Sequence, residues 1–242
     1  MRDWWSRNQI KVVPYLFIAP NMFVFTLFVF APIAYAGYMG FFKWNGISHP
    51  DFIGTRNYAQ IFEDEVFITA FKNNLYYAAM VIPTSMGLGL LVALALNMRL
   101  PGRAILRTIY FLPQVVSAIA TGTVAAWVFN DSYGIINKLL VEFGFEKQNW
   151  LTSPELALET VALSTIWVRL GFCMIVYLAG LQSIPQDYID AAKVDGASQW
   201  QRFRHVTWPL LSSTTFLLLI LNAISSFEAF DLVLAMTGGG PG

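Results

Sequence analysis

The chain has 242 residues, of which 56% are hydrophobic, 16% aromatic and only 12% charged, with no formal net charge at pH 7. A soluble globular domain carries about 25% charged residues, so a water-soluble fold is excluded as the home of this much apolar surface. A balanced charge also supplies no basic face for nucleic acid.

In chain order, Arg2, Arg7 and Lys11 form a basic start, and no charge follows from Val12 to Phe42. Charge-free runs recur at Asn73–Met98, Thr108–Asn130 and His205–Phe227, and between Thr160 and Gln186 only Arg169 interrupts. Each run exceeds the roughly 20 residues with which a helix crosses about 30 Å of hydrocarbon. The pattern predicts an all-α integral membrane protein with five spans. The basic start and "AYA" at Ala34–Ala36 also suit a cleaved secretory leader. The first apolar run, however, is about twice as long as a leader's core of about 7–15 residues, so it reads as a retained span. Gly87, Gly89, Ala93 and Ala95 are small enough to let helices approach closely. Pro32, Pro83 and Pro113 free carbonyls inside spans, which neighbouring helices around a cavity would satisfy. The single cysteine, Cys173, cannot form an intrachain disulfide and reads as a small packing residue. His49 and His205 fall in different loops, and the spacing predicts no metal site.

Basic residues in short loops set orientation. Arg2, Arg7 and Lys11, then Arg99, Arg103 and Arg107, then Lys193, Arg202 and Arg204 fall on one side. Lys43, Arg56, Lys72, Lys138 and Lys147 fall on the other, among Asp51, Glu63, Asp64, Glu65, Asp131, Glu142, Glu146 and Glu155. The expectation is a cytoplasmic tail over residues 1–13, a membrane domain over 14–242, and an extracytoplasmic end at "TGGGPG".

One polar stretch interrupts the second half: "DYIDAAKVDGASQWQRFRHVTWPLL", Asp187–Leu211. "SIPQ" at Ser183–Gln186 and "SQWQ" at Ser198–Gln201 have capping-box spacing. Gly196 between them suits a helix stop, and Pro209 suits the first turn of the next span. Two short helices with a turn at Asp195–Gly196 are predicted. Small Ala191, Ala192 and Ala197 beside large Tyr188, Trp200, Phe203 and Val206 fit two roles equally: a close-packing face for a partner, or an amphipathic helix lying on the membrane.

"DAAKVDGASQWQRFRHVTWPLL" resembles the cytoplasmic EAA loop of the permeases of binding-protein-dependent ABC importers. Asp190 stands where that loop has Glu, and Ala191, Ala192, Gly196, Val206 and Pro209 match in place. "AGLQSIPQDYIDAAKVDGA", "TGGGPG", "FKWNG", "FIGTRNYAQIF", "LPGRAILRTIYFLPQVVS" and "WLTSPELAL" are similar to the carbohydrate class, whose importers carry maltose, other oligosaccharides and glycerol 3-phosphate. The resemblance covers nearly the whole chain. It implies a type I importer transmembrane domain, here with five of an expected six core helices, because family members carry one more after "TGGGP". A sequence truncated before its last helix is the expectation. It also implies a bacterial or archaeal cytoplasmic membrane, two ATP-binding subunits, a second permease subunit and an extracytoplasmic solute-binding protein. Asp190, Ala191, Ala192, Asp195, Gly196, Phe203 and Pro209, within a coupling loop over 183–208, would meet the ATPase.

No G-x-x-x-x-G-K-[ST] phosphate loop occurs, so no cofactor is assigned to this chain and ATP with Mg²⁺ falls to partner subunits. A sugar path needs hydroxyl and amide groups beside aromatic faces. Gln114, Ser117 and Thr121 at i, i+3, i+7, and Thr215, Asn222, Ser225 and Ser226 in the last span, supply them. The same residues also suit hydrogen bonding between helices. Arg169 is costly in mid-span. It suits an anionic solute or a structural pair with Glu228. A secondary transporter would lack the polar loop, and a membrane enzyme would need a nucleophile–base set or metal cluster that the spans do not contain.

Overall fold

The computed structural model describes residues 2–98 and 101–240. Arg99, Pro241 and Gly242, invoked above, lie outside the described residues. The chain divides into two units, Met1–Phe71 and Lys72–Gly242, each considered by itself.

In the first unit α1 (Arg2–Phe25) passes through a π turn (Thr26–Phe30) into α2 (Ala31–Met39). The Ala31 N–H reaches back five residues to the Thr26 carbonyl. Pro32 follows, and because it has no N–H to donate, the helix widens just ahead of it. Beyond Lys11 the span Ile10–Met39 is charge-free, and its most apolar stretch is not buried within the chain. A two-stranded antiparallel hairpin, β1 (Phe42–Lys43) and β2 (Asp51–Phe52), pairs Phe42 with Phe52 and Lys43 with Asp51. α3 (Arg56–Ile61) follows.

α4 (Glu65–Asn97) opens the second unit's bundle and is continuous through Pro83. α5 (Arg103–Val115) and α6 (Ala118–Val128) replace the expected third span, meeting at 101°. Val116 and Ser117 between them are extended (ψ 146° and 137°). A β-branched pair at Val115–Val116 disfavours continuing the helix, and Ser suits the start of a new one. α7 (Ile135–Glu142) lies in the following loop, and α8 (Ala157–Ser183) is an unbroken span. α9 (Gln186–Val194) and α10 (Gln199–Arg202) form the polar loop. A π turn (Phe203–Thr207) joins α10 to α11 (Trp208–Leu210). The expected fifth span is therefore also broken: the helix Gln199–Leu210 meets α12 (Ser212–Phe227) at 62°. Pro209 does not open that span. It sits near the end of a helix already formed, two residues after a π turn, as Pro32 does. The chain then forms α13 (Phe230–Thr237), a helix that lies beyond the last charge-free run and was not anticipated.

By length and composition three helices can cross a membrane, or five if each bent pair counts as one crossing. The all-α expectation holds apart from the short hairpin. Two apolar clusters hold the second unit together. Met86, Ala93 and Leu96 of α4 pack with Met174, Tyr177, Leu178 and Leu181 of α8 and with Leu211 and Leu218. Tyr77 and Val81 of α4 pack with Ala125, Val161, Ala162, Ile166 and Met236. Gly89 sits at the α4–α8 crossing, where an added Cβ would lie 2.5 Å from Cys173 Cβ. Gly87 has open space around it, and Ala95 is exposed where Ala93 is buried, so only one member of each small pair serves packing. Cys173 is fully buried, as a packing residue should be.

One buried side chain makes four of the bonds that tie the loop between α6 and α8. Asn137 is 1% exposed and uses its whole amide. Its Nδ2 donates to the carbonyls of Asp131 (2.9 Å) and Gln148 (2.8 Å). Its Oδ1 accepts from Gln148 N (3.0 Å) and Trp150 Nε1 (2.9 Å).

Candidate functional site: an intramembrane cavity and a helical elbow

A cavity of about 270 Å³ opens where α4, α5, α6, α8, α12 and α13 meet. Gln114 from the last turn of α5, Thr121 of α6, Arg169 of α8, Ser225 of α12 and Glu228 just beyond α12 all line it. Gln114 and Thr121 do not share one helical face, as their spacing suggested, because the 101° bend separates them. The bend brings both to the same cavity, while Ser117, in the extended joint, is not among its lining residues. Gln114 Oε1 and Thr121 Oγ1 are buried without a protein hydrogen-bond partner. A buried unpaired polar group costs about 1–3 kcal/mol, so these atoms mark the wall as polar by design rather than by packing.

Arg169 and Glu228 line one cavity without forming an ion pair; the only ion pair among the described residues is Lys193–Asp190. The Arg169 guanidinium lies 5.9 Å from the centre of the Phe172 ring. Asn222 and Ser226 turn away from the cavity into the core. Asn222 Nδ2 donates to the Leu218 carbonyl (2.8 Å) and to Cys173 Sγ (3.5 Å), and Ser226 Oγ donates to the Asn222 carbonyl (2.8 Å). These two residues join α12 to itself and to α8.

Three polar lining residues escaped the sequence reading: Tyr77, Thr165 and Asp231. Tyr77 donates to Thr165 Oγ1 at 2.8 Å, which in turn donates to the Val161 carbonyl at 3.0 Å. Asp231 lies on α13, beyond the last charge-free run, where no span was expected.

The polar loop folds into a rigid elbow. α9 ends in a Schellman closure: Gly196 N donates to the Lys193 carbonyl (3.0 Å) and Ala197 N to the Ala192 carbonyl (2.9 Å). Gly196 has φ +76°, a left-handed conformation that glycine adopts without penalty. α10 starts with the expected capping box, Ser198 N donating to Gln201 Oε1 (2.7 Å) and Gln201 N to Ser198 Oγ (3.3 Å). The other predicted box does not form. Ser183 ends α8 and donates to the Gly180 carbonyl (2.8 Å), and α9 begins after Pro185 with no side-chain cap. Arg202 Nη1 donates to the Ala197 carbonyl at 2.8 Å, closing the inner side of the elbow.

Ala192, Asp195, Gly196, Gln201, Arg202, His205 and Val206 line the concave side of this elbow. Asp190 accepts from Lys193 Nζ at 2.7 Å and from Gln186 Nε2 at 3.2 Å. The Lys193 hydrogen bond, then that of Gln186, holds its carboxyl below the usual carboxylate range, so the pair is intact at neutral pH. Phe203 stacks on Trp200 at 5.6 Å and contacts Trp208 at 6.3 Å. Asp190 and Ala192 thus lie on α9 and Asp195 and Gly196 in the turn that closes it, whereas Phe203 and Pro209 belong to the helix leading out of the elbow. That helix ends at Leu211, which is fully buried against α8 beside Gly180.

Bent spans, a polar cavity among them and a rigid two-helix loop on one side define a multi-span membrane transport permease. The chain belongs to the binding-protein-dependent transport system inner membrane component family, whose model matches residues 85–242. A probable ABC transporter permease of Pyrococcus horikoshii is 36% identical over 95% of this chain and 80% of the relative. The trehalose/maltose transport system permease of Thermococcus litoralis is 34% identical over 94% of this chain and 78% of the relative. Among solved structures, a bacterial ABC transporter involved in import of the acidic polysaccharide alginate aligns with a TM-score of 0.76 and 27% identity. That alignment covers 93% of this chain and 77% of the other. The relatives are transport subunits rather than enzymes, and the type I importer fold expected from the sequence is the fold found.

Proposed function

We propose that this chain forms half of the translocation path for a sugar or sugar-like solute in an ATP-driven importer. The observation that carries this is the cavity. Amide, hydroxyl, phenol, guanidinium and carboxylate groups from separate helices converge on it, and two of their polar atoms lack a protein partner. A polyhydroxylated solute offers a donor or acceptor to every one of these groups. The trehalose/maltose and alginate systems among the similar proteins support the carbohydrate class.

Energy enters at the elbow. Two ATPase subunits, which bind ATP and Mg²⁺, dock on the loop over 183–208 from the cytoplasm, where the N-terminus also lies. A second permease subunit completes the path, and an extracytoplasmic binding protein delivers the solute. A closed capping box, a Schellman closure and the Arg202–Ala197 bond make the elbow move as one piece. The helix Gln199–Leu210 carries that motion to the Leu211 joint, and α12 beyond it bears Ser225 on the cavity wall. Hinge motion between two states is the expected mode.

A second reading, an anionic polyol phosphate such as glycerol 3-phosphate, is favoured by Arg169 standing in the cavity outside any ion pair. Glu228 and Asp231 oppose it: one positive and two negative groups leave the wall at −1. The test is uptake into proteoliposomes holding the assembled importer and its binding protein. Neutral disaccharide uptake is expected to survive Arg169→Gln at a reduced rate. Glycerol 3-phosphate uptake abolished by Arg169→Gln would replace the first reading with the second, and uptake of neither class would reject both.

A further inference from the structure

α5 separates two kinds of side chain. Ile105, Ile109, Leu112 and Val115 occupy one face and are between 58% and 68% exposed, as a lipid-facing surface should be. Arg107, Phe111 and Gln114 stand at i, i+4 and i+7 on the opposite face and are half-buried. That face is pressed against the bundle. A Cβ added at Gly171 of α8 would strike the Tyr110 carbonyl and come within 3.0 Å of Phe111 Cα. Gln114, at the C-terminal end of the face, lines the cavity. Arg107 lies seven residues earlier, about 10 Å along the helix axis. That is toward the end of α5 that is cytoplasmic in the orientation given above.

Arg107 is enclosed and unanswered. Its Nε and Nη2 are buried within the chain, and neither has a hydrogen-bond partner. The neighbouring spans offer it no carboxylate. The chain has no Asp or Glu from Val66 to Asn130, from Thr160 to Gln186 or from Gly196 to Phe227. The only ion pair among the described residues lies in the elbow. An arginine that merely marks the membrane boundary extends its guanidinium to water or to lipid phosphate. This one keeps two nitrogens inside. A sealed cation without an acceptor is costly, and in a membrane bundle such groups mark cavities and pathways.

We propose that Arg107 is a second solute-contacting residue, set below the cavity on the cytoplasmic arm of the path. Its guanidinium donates to hydroxyl oxygens of the solute once α5 parts from its neighbours. The inference rests on the carbohydrate reading above. The planar fork presents paired N–H donors, which two adjacent hydroxyls of a sugar accept. Phe111 and Gln114 continue the same face up to the cavity. A subunit docked on the outside meets other atoms of this chain before it meets these nitrogens. Opening of the bundle from the cavity exposes them to whatever the cavity holds.

The test is uptake by the assembled importer and its binding protein in proteoliposomes. The probes are trehalose or maltose, whichever the parent imports faster, and the monodeoxy derivatives of that sugar. Parent and Arg107→Met are compared. Both use the same binding protein, so a change in relative preference reports the permease alone. Arg107→Met should import the sugar several-fold more slowly. It should also lose several-fold of the preference over at least one derivative, the one lacking the hydroxyl that Arg107 holds, and keep the preference over the others. Arg107→Lys, which retains the charge without the fork, should fall between, and it carries the same comparison if Arg107→Met does not assemble. Equal slowing of every sugar, or no change in any, would overturn the proposal. Equal slowing would assign Arg107 to packing or to a carboxylate of the second permease subunit. A parent that imports neither trehalose nor maltose would instead overturn the carbohydrate reading, and this inference with it.

Discussion

Gly89→Ala sets two effects of opposite sign against each other. Helix propensity favours alanine over glycine inside a helix by about 0.5–1 kcal/mol. The α4–α8 crossing opposes it. The new methyl would lie 2.5 Å from Cys173 Cβ, 3.0 Å from Met174 N and 3.1 Å from Cys173 C. Ordinary carbon contacts fall at about 3.5–4.0 Å, so the helices must part by about 1 Å. Met174 N and Cys173 C are backbone atoms and cannot rotate aside. Overpacking costs about 1–3 kcal/mol, and backbone obstruction puts this site in the upper half. Subtracting the propensity gain leaves a net loss of about 1–2.5 kcal/mol, roughly a five- to seventy-fold fall in the folded-to-unfolded ratio. The assay is SDS titration of the purified protein in mixed micelles, followed by circular dichroism and tryptophan fluorescence. Gly87→Ala, with nothing near it, should leave the midpoint unchanged or raise it. In the Gly89→Ala background, Cys173→Ala should rescue nothing because it keeps the Cβ, whereas Cys173→Gly should recover part of the loss. Equal midpoints for Gly89→Ala and Gly87→Ala would refute the close crossing.

Asn137→Ala should loosen the α6–α8 loop, since each buried group it strands costs about 1–3 kcal/mol. Trypsin should then cut faster at Lys138 and Lys147 than in the parent, and unchanged cleavage would contradict the role given to Asn137. For orientation, cysteines at Ser48 and Ser132 should react with an impermeant thiol reagent in intact cells, and cysteines at Ser6 and Ser198 should not. Labelling at Ser198 from outside would invert the topology.

The spans were legible because lipid tolerates almost no charge, and a charge-free run is a direct record of that constraint. The breaks within them were not. No charged residue stands beside Ser117 or Leu211 to mark a break, and whether a helix continues there depends on what packs against it. α13 was hidden for a related reason: Glu228 and Asp231 end the charge-free run, yet both face the cavity rather than marking its edge. Gln114 and Thr121 were chosen for a spacing that holds only on a straight helix. They line one cavity because the helix is bent, a reason their spacing did not supply. Asn222 and Ser226 fell on the predicted polar face but are buried in the core, Asn222 bonding to α8 and Ser226 within α12, since sequence does not say which of two polar neighbours faces the gap. The elbow fared better. Gly196 and the Ser198–Gln201 box are local devices whose residue types nearly dictate their geometry.

The most direct test of the central claim is capture of the ATPase subunit by variants of the elbow, read together with solute uptake. Ala192 is half-buried on the concave side, where a leucine would obstruct a closely docked surface. A Cβ at Gly196 meets nothing within 4 Å, but φ +76° strains any other residue, so Gly196→Val should distort the elbow through its backbone. Both variants should insert in the membrane, bind the ATPase weakly, and lose stimulated ATP hydrolysis and uptake together. Full retention of the ATPase with uptake at the parent rate in both variants would show that the elbow is not where ATP hydrolysis is coupled to transport.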